Sequence, residues 1–478
     1  MNLGKNSIYS LVILGINISF RILTAPLVIK NFNPEVSGLY YFILNITNYF
    51  LFFDFGISRA FIYFKIKNLS DQKSINNIFF TSIFFYLCVV FSIGLSFYFL
   101  KDHFYNATYI MYKNLAVGLI FISIVQLFFQ FLNQLFASIW ESIGRMYFSK
   151  YIDAASLILF TFSLYFGIYI YHDLFYMFCF ILLSNIIISF VHLFLIIRMN
   201  IFTIEGFHFS FKYINILFKG GFFIMAANFV TTLYNLIDIT LIPIYISLSV
   251  IPFYVLSLNF TKLIHSLSGA LLSPMPVYLA NCSSDESSQK LYDKTDIFLS
   301  INLAFVIILT LFILLFNFEL ISLWVNIEFA KKVENIVILL TTSWMFHSLC
   351  ITAFQFFESN NLSKVNFFSS LALCLITIIL FFLLKDFGLY GFATSRIIGA
   401  FCFLILLYSK LSVLMSKKFL SYILVRVFLF LIFTFCIIFY FHIFPNYFNI
   451  FIKFFIFLIS FLCIIKYSII KNYVLLKN

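Results

Sequence analysis

Long apolar runs separated by short polar breaks make up most of the chain. Runs of about 18 to 25 apolar residues have the length that an α-helix needs to cross a lipid bilayer. Counting such runs predicts about fourteen membrane-spanning helices, grouped as six, six and two. The predicted spans are 8–29, 36–57, 77–100, 115–138, 152–171, 174–197, 220–246, 251–274, 296–317, 333–357, 365–384, 387–409, 419–441 and 449–470.

Composition supports a membrane protein. The chain is 10% charged and 63% hydrophobic, with a mean hydropathy of +1.07, whereas a soluble domain carries about 25% charged residues. The predicted fold class is therefore an all-α polytopic membrane protein with two six-helix halves and two additional C-terminal helices. We expect an N-terminal lobe over 1–200, a C-terminal lobe over 215–410 and the two extra helices over 411–478.

The distribution of the basic residues indicates how the chain is oriented in the membrane. A net charge of +12 in a soluble protein would suggest a nucleic-acid partner, but in a membrane protein Lys and Arg collect in cytosolic loops. With the amino terminus in the cytosol, about nineteen Lys and Arg fall on the inner side and about seven on the outer side. We therefore expect both termini to be cytosolic and no nucleic-acid partner.

Short loops argue against an enzyme. Polysaccharide polymerases and membrane glycosyltransferases generally need a large external loop or a soluble lobe, and none is predicted here. The sequence has no HExxH or GxSxG motif and no CxxC pair among its eight Cys. We expect a transporter, a channel or a scaffold, with no metal and no cofactor, and with H⁺ or Na⁺ as the coupling ion of a transporter.

An internal repeat favours a transporter. A shift of 214 positions, which carries Asn17 to Thr231, brings polar positions of the first two spans over those of the seventh and eighth. Two related six-helix halves are typical of alternating-access transporters, whose substrate site lies near the bilayer midplane. The matched pairs are Asn17 with Thr231, Arg21 with Asn235, Thr24 with Asp238, Tyr40 with Tyr254, Asn45 with Asn259 and Asn48 with Lys262.

Three cations lie deep in predicted spans. Arg21, Lys262 and Arg396 each fall near the middle of an apolar run, where a charge costs about 2.5 to 3.5 kcal/mol and usually faces a cavity or a partner. They are the candidates for binding an anionic substrate. The alternative is a buried ion pair, for Arg21 with Asp238 or another acid.

Polar stripes are the candidates for contacting uncharged parts of the substrate. Asn17 shares a helix face with Arg21, and Asn235 shares one with Asp238. The fourth span carries the stripe Gln126, Gln130 and Asn133. The alternative for these amides is hydrogen bonding between packed helices.

Six further ionisable residues are candidates for ion coupling or gating. Asp238 and Glu358 are acids within or at the end of spans, and His265 and His347 titrate near neutral pH. Packing histidines are the alternative for the last two. Asp54 and Arg59 fall near the cytosolic end of the second span, where Arg59 could instead be a positive-inside anchor and Asp54 its helix-end partner.

Four segments resemble the oligosaccharide flippases of the MOP superfamily, of the O-antigen (Wzx) type. These segments follow one another in the order that the family has, and the resemblance covers most of the length of the chain. It departs from the family at Pro252, where related sequences tend to carry a small residue. They are NFNPEVSGLYYF at 31–42, FFDFGISRA at 52–60, YNLIDITLIPIYISLSVIPFYVL at 234–256 and FGLYGFATSRIIGA at 387–400.

The resemblance implies a bacterial inner-membrane protein with two inverted V-shaped lobes that flips undecaprenyl-pyrophosphate-linked oligosaccharide, an O-antigen or capsule repeat unit. It implies as partners this lipid-linked oligosaccharide and membrane lipid, with a polysaccharide polymerase and a chain-length regulator as further candidates. The alternatives are a flippase for lipid II or another lipid-linked precursor, a multidrug cation antiporter of the same superfamily, and a non-transporting assembly scaffold. A cation exporter would need central acids in its first half, where this chain has Arg21.

Overall fold

The computed structural model describes residues 26–55, 72–104, 112–143, 145–199, 222–272, 288–360 and 362–415, with positions 15, 20, 24, 57, 58, 61 and 275. The predicted spans 419–441 and 449–470 lie outside the described residues, as does most of 8–29. The total of fourteen membrane-spanning helices therefore stays a prediction.

All regular structure in the described residues is helical. The helices are α1 Pro34–Phe50, α2 Gln72–Phe104, α3 Lys113–Ser142, α4 Met146–Tyr165, α5 Leu174–Arg198, α6 Phe222–Tyr245, α7 Ile251–Thr261, α8 Leu263–Leu271, α9 Ser288–Trp324, α10 Ile327–Ser359, α11 Ser363–Leu384 and α12 Gly388–Met415. The described chain has nine segments long and apolar enough to cross a membrane, of which Lys364–Val413 contains both α11 and α12. Every predicted span between 36 and 409 overlaps a helix, and the all-α polytopic fold class is confirmed.

Local sequence signals set several helix ends. The Asp173 carboxylate accepts a hydrogen bond from the Phe175 N–H (2.8 Å) before α5, and the Asn326 amide oxygen accepts one from the Phe329 N–H (2.7 Å) before α10. Pro252 is the second residue of α7, where a missing N–H leaves no helical bond unmade. The turn between α6 and α7 is a short 3₁₀ segment, Leu248–Val250.

The chain divides into two compact units, Met1–Pro252 and Phe253–Asn478. Helix α6 belongs to the first unit, where it is tied to α1. The Asn45 amide nitrogen donates to the Leu236 carbonyl and to the Thr240 hydroxyl, at 3.1 Å each. The lobes 1–200, 215–410 and 411–478 were predicted from the internal repeat, whereas the two compact units are defined by contacts between residues. The predicted lobes therefore stay a prediction.

In the first unit, an aromatic and aliphatic core lies between α2, α3 and α5. Tyr86 stacks on Phe131 with ring centroids 5.0 Å apart, and Trp140 is fully buried in the same cluster. Helix α1 closely approaches the turn before α7, because a Cβ added to Gly38 would lie 2.1 Å from the Leu248 carbonyl oxygen. The outer face of α2 exposes large apolar side chains such as Phe91, as lipid contact requires.

In the second unit, α10 is the central helix. It packs against α8, α9, α11 and α12. Of the residues in its 18-residue apolar stretch 78% are buried, compared with 39% for the corresponding stretch of α9. Helices α11 and α12 cross closely at Gly399, since a Cβ there would lie 2.2 Å from the Thr377 hydroxyl oxygen. A helix covered on so many sides places its polar side chains inside the unit rather than against lipid.

Candidate functional site

Lys262 lies at a break in the predicted span 251–274. Helix α7 ends at Thr261 and α8 begins at Leu263, although the Lys262 N–H still donates to the Leu258 carbonyl at 2.9 Å. The Thr261 hydroxyl donates to the carbonyls of Ser257 and Leu258, at 2.8 and 3.1 Å. Lys262 is therefore a half-buried lysine in the interior of a segment long and apolar enough to cross a membrane.

Trp344 of α10 is the centre of a basic cluster. The Lys262 Nζ lies 5.6 Å from the Trp344 ring centroid, and the Arg396 Cζ of α12 lies 5.8 Å from it. Both distances are in the range of cation–π attraction. Arg396 is fully buried and Trp344 is 2% exposed. Two of the three cations selected from the sequence therefore meet on one indole ring.

Two histidines complete this cluster. The rings of His265 on α8 and His347 on α10 each lie 5.3 Å from the Trp344 ring. Their Nδ1 atoms are 3.3 Å apart, so one Nδ1–H donates a hydrogen bond and the other Nδ1 accepts it. We call Lys262, His265, His347 and Arg396, arranged around Trp344, the basic cluster. Its members were predicted for two separate roles, substrate binding and ion coupling, and the structure brings them into one place.

A buried hydrogen-bond network fixes the helices behind the two histidines. The Ser268 hydroxyl of α8 donates to the Asn302 amide oxygen of α9. The Asn302 amide nitrogen donates to the Ser348 carbonyl at 3.1 Å and to the Thr352 hydroxyl at 3.2 Å, both on α10. Satisfied polar networks of this kind hold helices in register, and here they set the position of α8 relative to α10.

The indole nitrogen of Trp344 differs from that of the other buried tryptophan. The Trp344 Nε1 is buried and has no hydrogen-bond acceptor among the residues that the structure describes. In contrast, the Trp140 Nε1 donates to the His192 Nδ1 at 3.0 Å. Buried donors are normally satisfied, so the Trp344 N–H requires an explanation.

The chemistry of the basic cluster suits an anion. Lys, Arg and Trp side chains only donate hydrogen bonds, and a histidine becomes donor-only when it is protonated. A ligand that binds against these groups must therefore supply acceptors. Phosphate oxygens meet this requirement, and arginine contacts them especially well because its guanidinium can bind two oxygens at once.

Asp54 is held by hydroxyl groups. Its carboxylate accepts a hydrogen bond from the Ser58 hydroxyl at 2.8 Å and another from the Tyr86 hydroxyl of α2. The chain turns at Phe55, which has a left-handed φ of 52°. Arg59, the predicted partner or gating residue, lies outside the described residues, so the role of this pair stays a prediction.

The polar stripe on α3 divides into two kinds of residue. The Asn133 amide oxygen accepts from the Ser189 hydroxyl of α5 at 2.7 Å, which is the helix-packing alternative. Gln126 and Gln130 each bury a side-chain oxygen that has no hydrogen-bond partner among the described residues. These two remain candidates for binding uncharged hydroxyl groups.

The remaining candidates are dispersed. Asp238 on α6 is fully buried, and the nearby Asn235 buries an amide oxygen that finds no donor in the described part of the chain. Glu358 is exposed close to the end of α10. Asn17 and Arg21 lie outside the described residues, so their proposed contacts are untested.

Sequence reasoning missed Trp344. A tryptophan in an apolar run resembles any other core residue, and its importance depends on packing between α8, α10 and α12. One signal was available, because Trp344 and His347 are three positions apart and therefore share a face of α10. Combining that spacing with the cation search could have identified the centre of the cluster.

Comparisons with known proteins show the fold. No protein-family model matches the sequence, and no curated protein matches it either. Among solved structures, the lipid II flippase MurJ in an inward closed conformation has a TM-score of 0.77 at 16% identity, covering 98% of this chain and 99% of that one. An inward-facing multidrug resistance MATE family transporter of the MOP superfamily has a TM-score of 0.70 at 14% identity, covering 85% and 98%.

The MATE transporter VcmN of Vibrio cholerae, solved as a variant, has a TM-score of 0.59 at 12% identity, covering 86% of this chain and 96% of that one. Likeness at such identities shows architecture rather than activity. The finer resemblance to O-antigen flippases stays a prediction. The chain has the fold of the lipid II flippase and MATE transporter structures.

Proposed function

We propose that the protein is a transporter that flips an undecaprenyl-pyrophosphate-linked oligosaccharide, such as an O-antigen or capsule repeat unit, across the bacterial inner membrane. It works by alternating access, with the pyrophosphate held by buried cations while the lipid tail stays in the bilayer. Both termini are cytosolic in this proposal. It needs no cofactor, and a proton or sodium gradient supplies the energy.

The observation that carries the proposal is the basic cluster. Lys262 and Arg396 lie within 6 Å of one ring centroid, at 5.6 and 5.8 Å. Both positive charges lie around one buried ring, in a medium of low dielectric constant where like charges repel. A pyrophosphate bound beside the ring would offset this repulsion, and its oxygens can accept hydrogen bonds from lysine and arginine. Arg21 is proposed as a third contributor, on sequence grounds alone.

The extent of the structural likeness also supports the proposal. The lipid II flippase structure covers 98% of this chain, whereas the MATE structures cover 85% or 86%. A flippase for lipid-linked precursors is therefore a better structural template than a cation exporter.

The amide side chains of Gln126, Gln130 and Asn235 are proposed to contact the sugars, since their buried oxygens can accept hydrogen bonds from hydroxyl groups.

The alternatives make different demands on the basic cluster. A multidrug cation antiporter would have to bring a cationic substrate against four basic side chains, which the charge disfavours. A lipid II flippase is compatible with the cluster, because its substrate also carries a pyrophosphate, and the likeness to MurJ keeps it as the second candidate. The choice of an O-antigen type rests on the four sequence segments. A polymerase and a chain-length regulator remain proposed partners.

Complementation tests the proposal. We expect Lys262→Ala and Arg396→Ala each to reduce surface glycan at least about tenfold in a strain that lacks the chromosomal copy, because a lost charge-assisted contact is worth about 1.5 to 3 kcal/mol. The exposed residues Lys331 and Arg198 provide matched controls, and Lys331→Ala and Arg198→Ala should retain activity.

Protein amount in the membrane must be measured alongside surface glycan. If Lys262→Ala and Arg396→Ala keep normal surface glycan, the anionic site is wrong. If they lose activity only because the protein disappears from the membrane, the two residues are structural and the substrate-binding role is wrong.

A further inference from the structure

The strongest unexplained feature of the molecule is the buried N–H of Trp344. We propose that this N–H donates a hydrogen bond to an anionic oxygen of the transported ligand, so that Trp344 is a ligand-binding residue rather than a core residue. The inference rests on the proposed function, in that it assigns a further contact to the same anion site. Unlike the cations of that site, this contact comes from an uncharged side chain.

Burial is the first step of the argument. Trp344 is 2% exposed and its Nε1 finds no acceptor within the described residues. A buried donor without a partner is destabilising, because it has lost its hydrogen bonds to water. The same chain shows the ordinary solution at Trp140, where the His192 Nδ1 accepts the indole proton at 3.0 Å. The donor of Trp344 is therefore suited to an acceptor that arrives from outside the protein.

The surroundings of the ring define what that acceptor is. Lys262 and Arg396 lie over the ring at 5.6 and 5.8 Å, and the rings of His265 and His347 lie at 5.3 Å from it. An oxygen hydrogen-bonded to Nε1, at about 2.9 Å, would be held by the same indole that these basic groups surround. Such a position favours a negatively charged oxygen and disfavours a cation. A pyrophosphate can reach the indole and a neighbouring cation together, because it has several oxygens.

The indole supplies something that the cations do not. Its N–H carries no net charge, so it adds a donor without adding to the repulsion between Lys262 and Arg396 in the empty site. It also has no proton to gain or lose near neutral pH, and its position is fixed by packing inside α10. Trp344 therefore gives the site a directional contact that is constant across pH.

The direct test follows the indole proton by NMR. The chain has three Trp, so the full-length protein labelled with ¹⁵N-tryptophan should give three indole N–H signals, which Trp→Phe variants assign. In nanodiscs of zwitterionic lipid, we expect added inorganic pyrophosphate to shift the Trp344 signal downfield, as a new hydrogen bond to an anion does. The Trp140 signal is an internal control and should not move, since its N–H is already bonded to His192.

Affinity gives a second readout. Trp344→Phe removes the N–H and keeps an aromatic ring beside the cations, so we expect about tenfold weaker binding of pyrophosphate by calorimetry. Trp140→Phe removes an N–H that the proposal does not use, and it should bind pyrophosphate as the wild type does. If Trp344→Phe does not fold, the wild-type NMR titration still decides the question.

The outcomes separate this inference from the proposed function. If the wild type binds pyrophosphate while the Trp344 signal stays in place, the role of Trp344 is wrong and the flippase proposal stands. If pyrophosphate does not bind at all, both are overturned. Anionic phospholipid offers the same oxygen chemistry, so a parallel experiment uses nanodiscs that contain phosphatidylglycerol, first without pyrophosphate and then with pyrophosphate added. A Trp344 shift with that lipid, and no further change with pyrophosphate, would assign the contact to membrane lipid and overturn the substrate assignment.

Discussion

At the scale of single residues, the charge of the basic cluster can change near neutral pH only through its histidines. Lysine and arginine normally stay protonated at these pH values, whereas an anion bound beside the histidine pair favours the protonated form of an imidazole. The charged or titratable side chains that act on His347 are His265 on α8, Arg396 on α12 and Lys262 at the break before α8. A proton added to the histidine pair therefore adds positive charge to a site that already holds two cations.

We predict that this added charge strengthens anion binding as the pH falls. Between about pH 8 and about pH 5.5, the wild type should gain affinity for pyrophosphate relative to the double variant His265→Asn/His347→Asn. Calorimetry in buffers of different ionisation heats should also show more protons taken up on binding by the wild type than by the variant. The comparison at equal pH cancels the titration of pyrophosphate itself.

His192 provides the control for this prediction. It is a buried histidine of the first unit that already accepts the Trp140 N–H, so His192→Asn should show the pH dependence of the wild type. Equal pH dependence in the wild type and in the double variant would contradict the role of the histidine pair. Such a result would leave Lys262, Arg396 and the Trp344 N–H as the contacts that hold the anion independently of pH.

The residue types of the site could be predicted from the sequence, but their arrangement could not. Lys262 and Arg396 stood out because a charge inside an apolar span is costly. Their meeting on Trp344 depends on how α8, α10 and α12 pack, and no local pattern encodes that. For the same reason the histidines were predicted as a separate ion-coupling set, although their Nδ1 atoms lie 3.3 Å apart within the same cluster.

At the scale of elements, the crossing of α11 and α12 limits what can occupy position 399. A Cβ on Gly399 would lie 2.2 Å from the Thr377 Oγ1, although it would lie 3.4 Å from the Thr377 Cβ. We predict that Gly399→Ala destabilises the protein by about 1 to 3 kcal/mol. Adding Thr377→Ala should restore most of the loss, because the clashing oxygen is then removed. Thermal unfolding of purified protein in detergent measures both effects.

Gly269 is a matched control on α8. A Cβ there would meet no atom within 4 Å, so Gly269→Ala should leave the unfolding midpoint unchanged or raise it slightly, given the higher helix propensity of alanine. If Gly399→Ala is as harmless as Gly269→Ala, the close crossing of α11 and α12 is wrong. If Thr377→Ala does not rescue Gly399→Ala, the contact responsible is not the threonine hydroxyl.

Hydrophobic run length predicted the helices well because a membrane imposes one length on every span. It was less informative where one run contains two helices. The span 251–274 is divided at Lys262 into α7 and α8, and no glycine or proline marks that position. The π-helical turn Phe166–Ile170 at the end of α4 was also unpredictable, because apolar composition does not distinguish one helix type from another.

At the scale of the whole molecule, the fold and the basic cluster support different parts of the account. The fold is shared with structures of a lipid II flippase and of MATE transporters, and it shows the architecture of the chain. The cluster, which lies within the second unit, supports an anionic substrate. The first unit contains buried amides such as those of Gln126 and Gln130. It also contains the Asp54 carboxylate, which accepts hydrogen bonds from two hydroxyl groups.

The central claim is that buried cations of this protein carry a lipid-linked pyrophosphate across the bilayer. The most direct measurement is the transbilayer movement of a fluorescent undecaprenyl-pyrophosphate oligosaccharide in proteoliposomes that contain the purified protein. The wild type should move it at least about tenfold faster than the Lys262→Ala/Arg396→Ala variant does, because the variant loses two contacts to charged oxygens. The wild type should also move it faster than it moves the monophosphate-linked form, which offers fewer charged oxygens. Equal rates for the wild type and the double variant, or no movement by the wild type, would contradict the account.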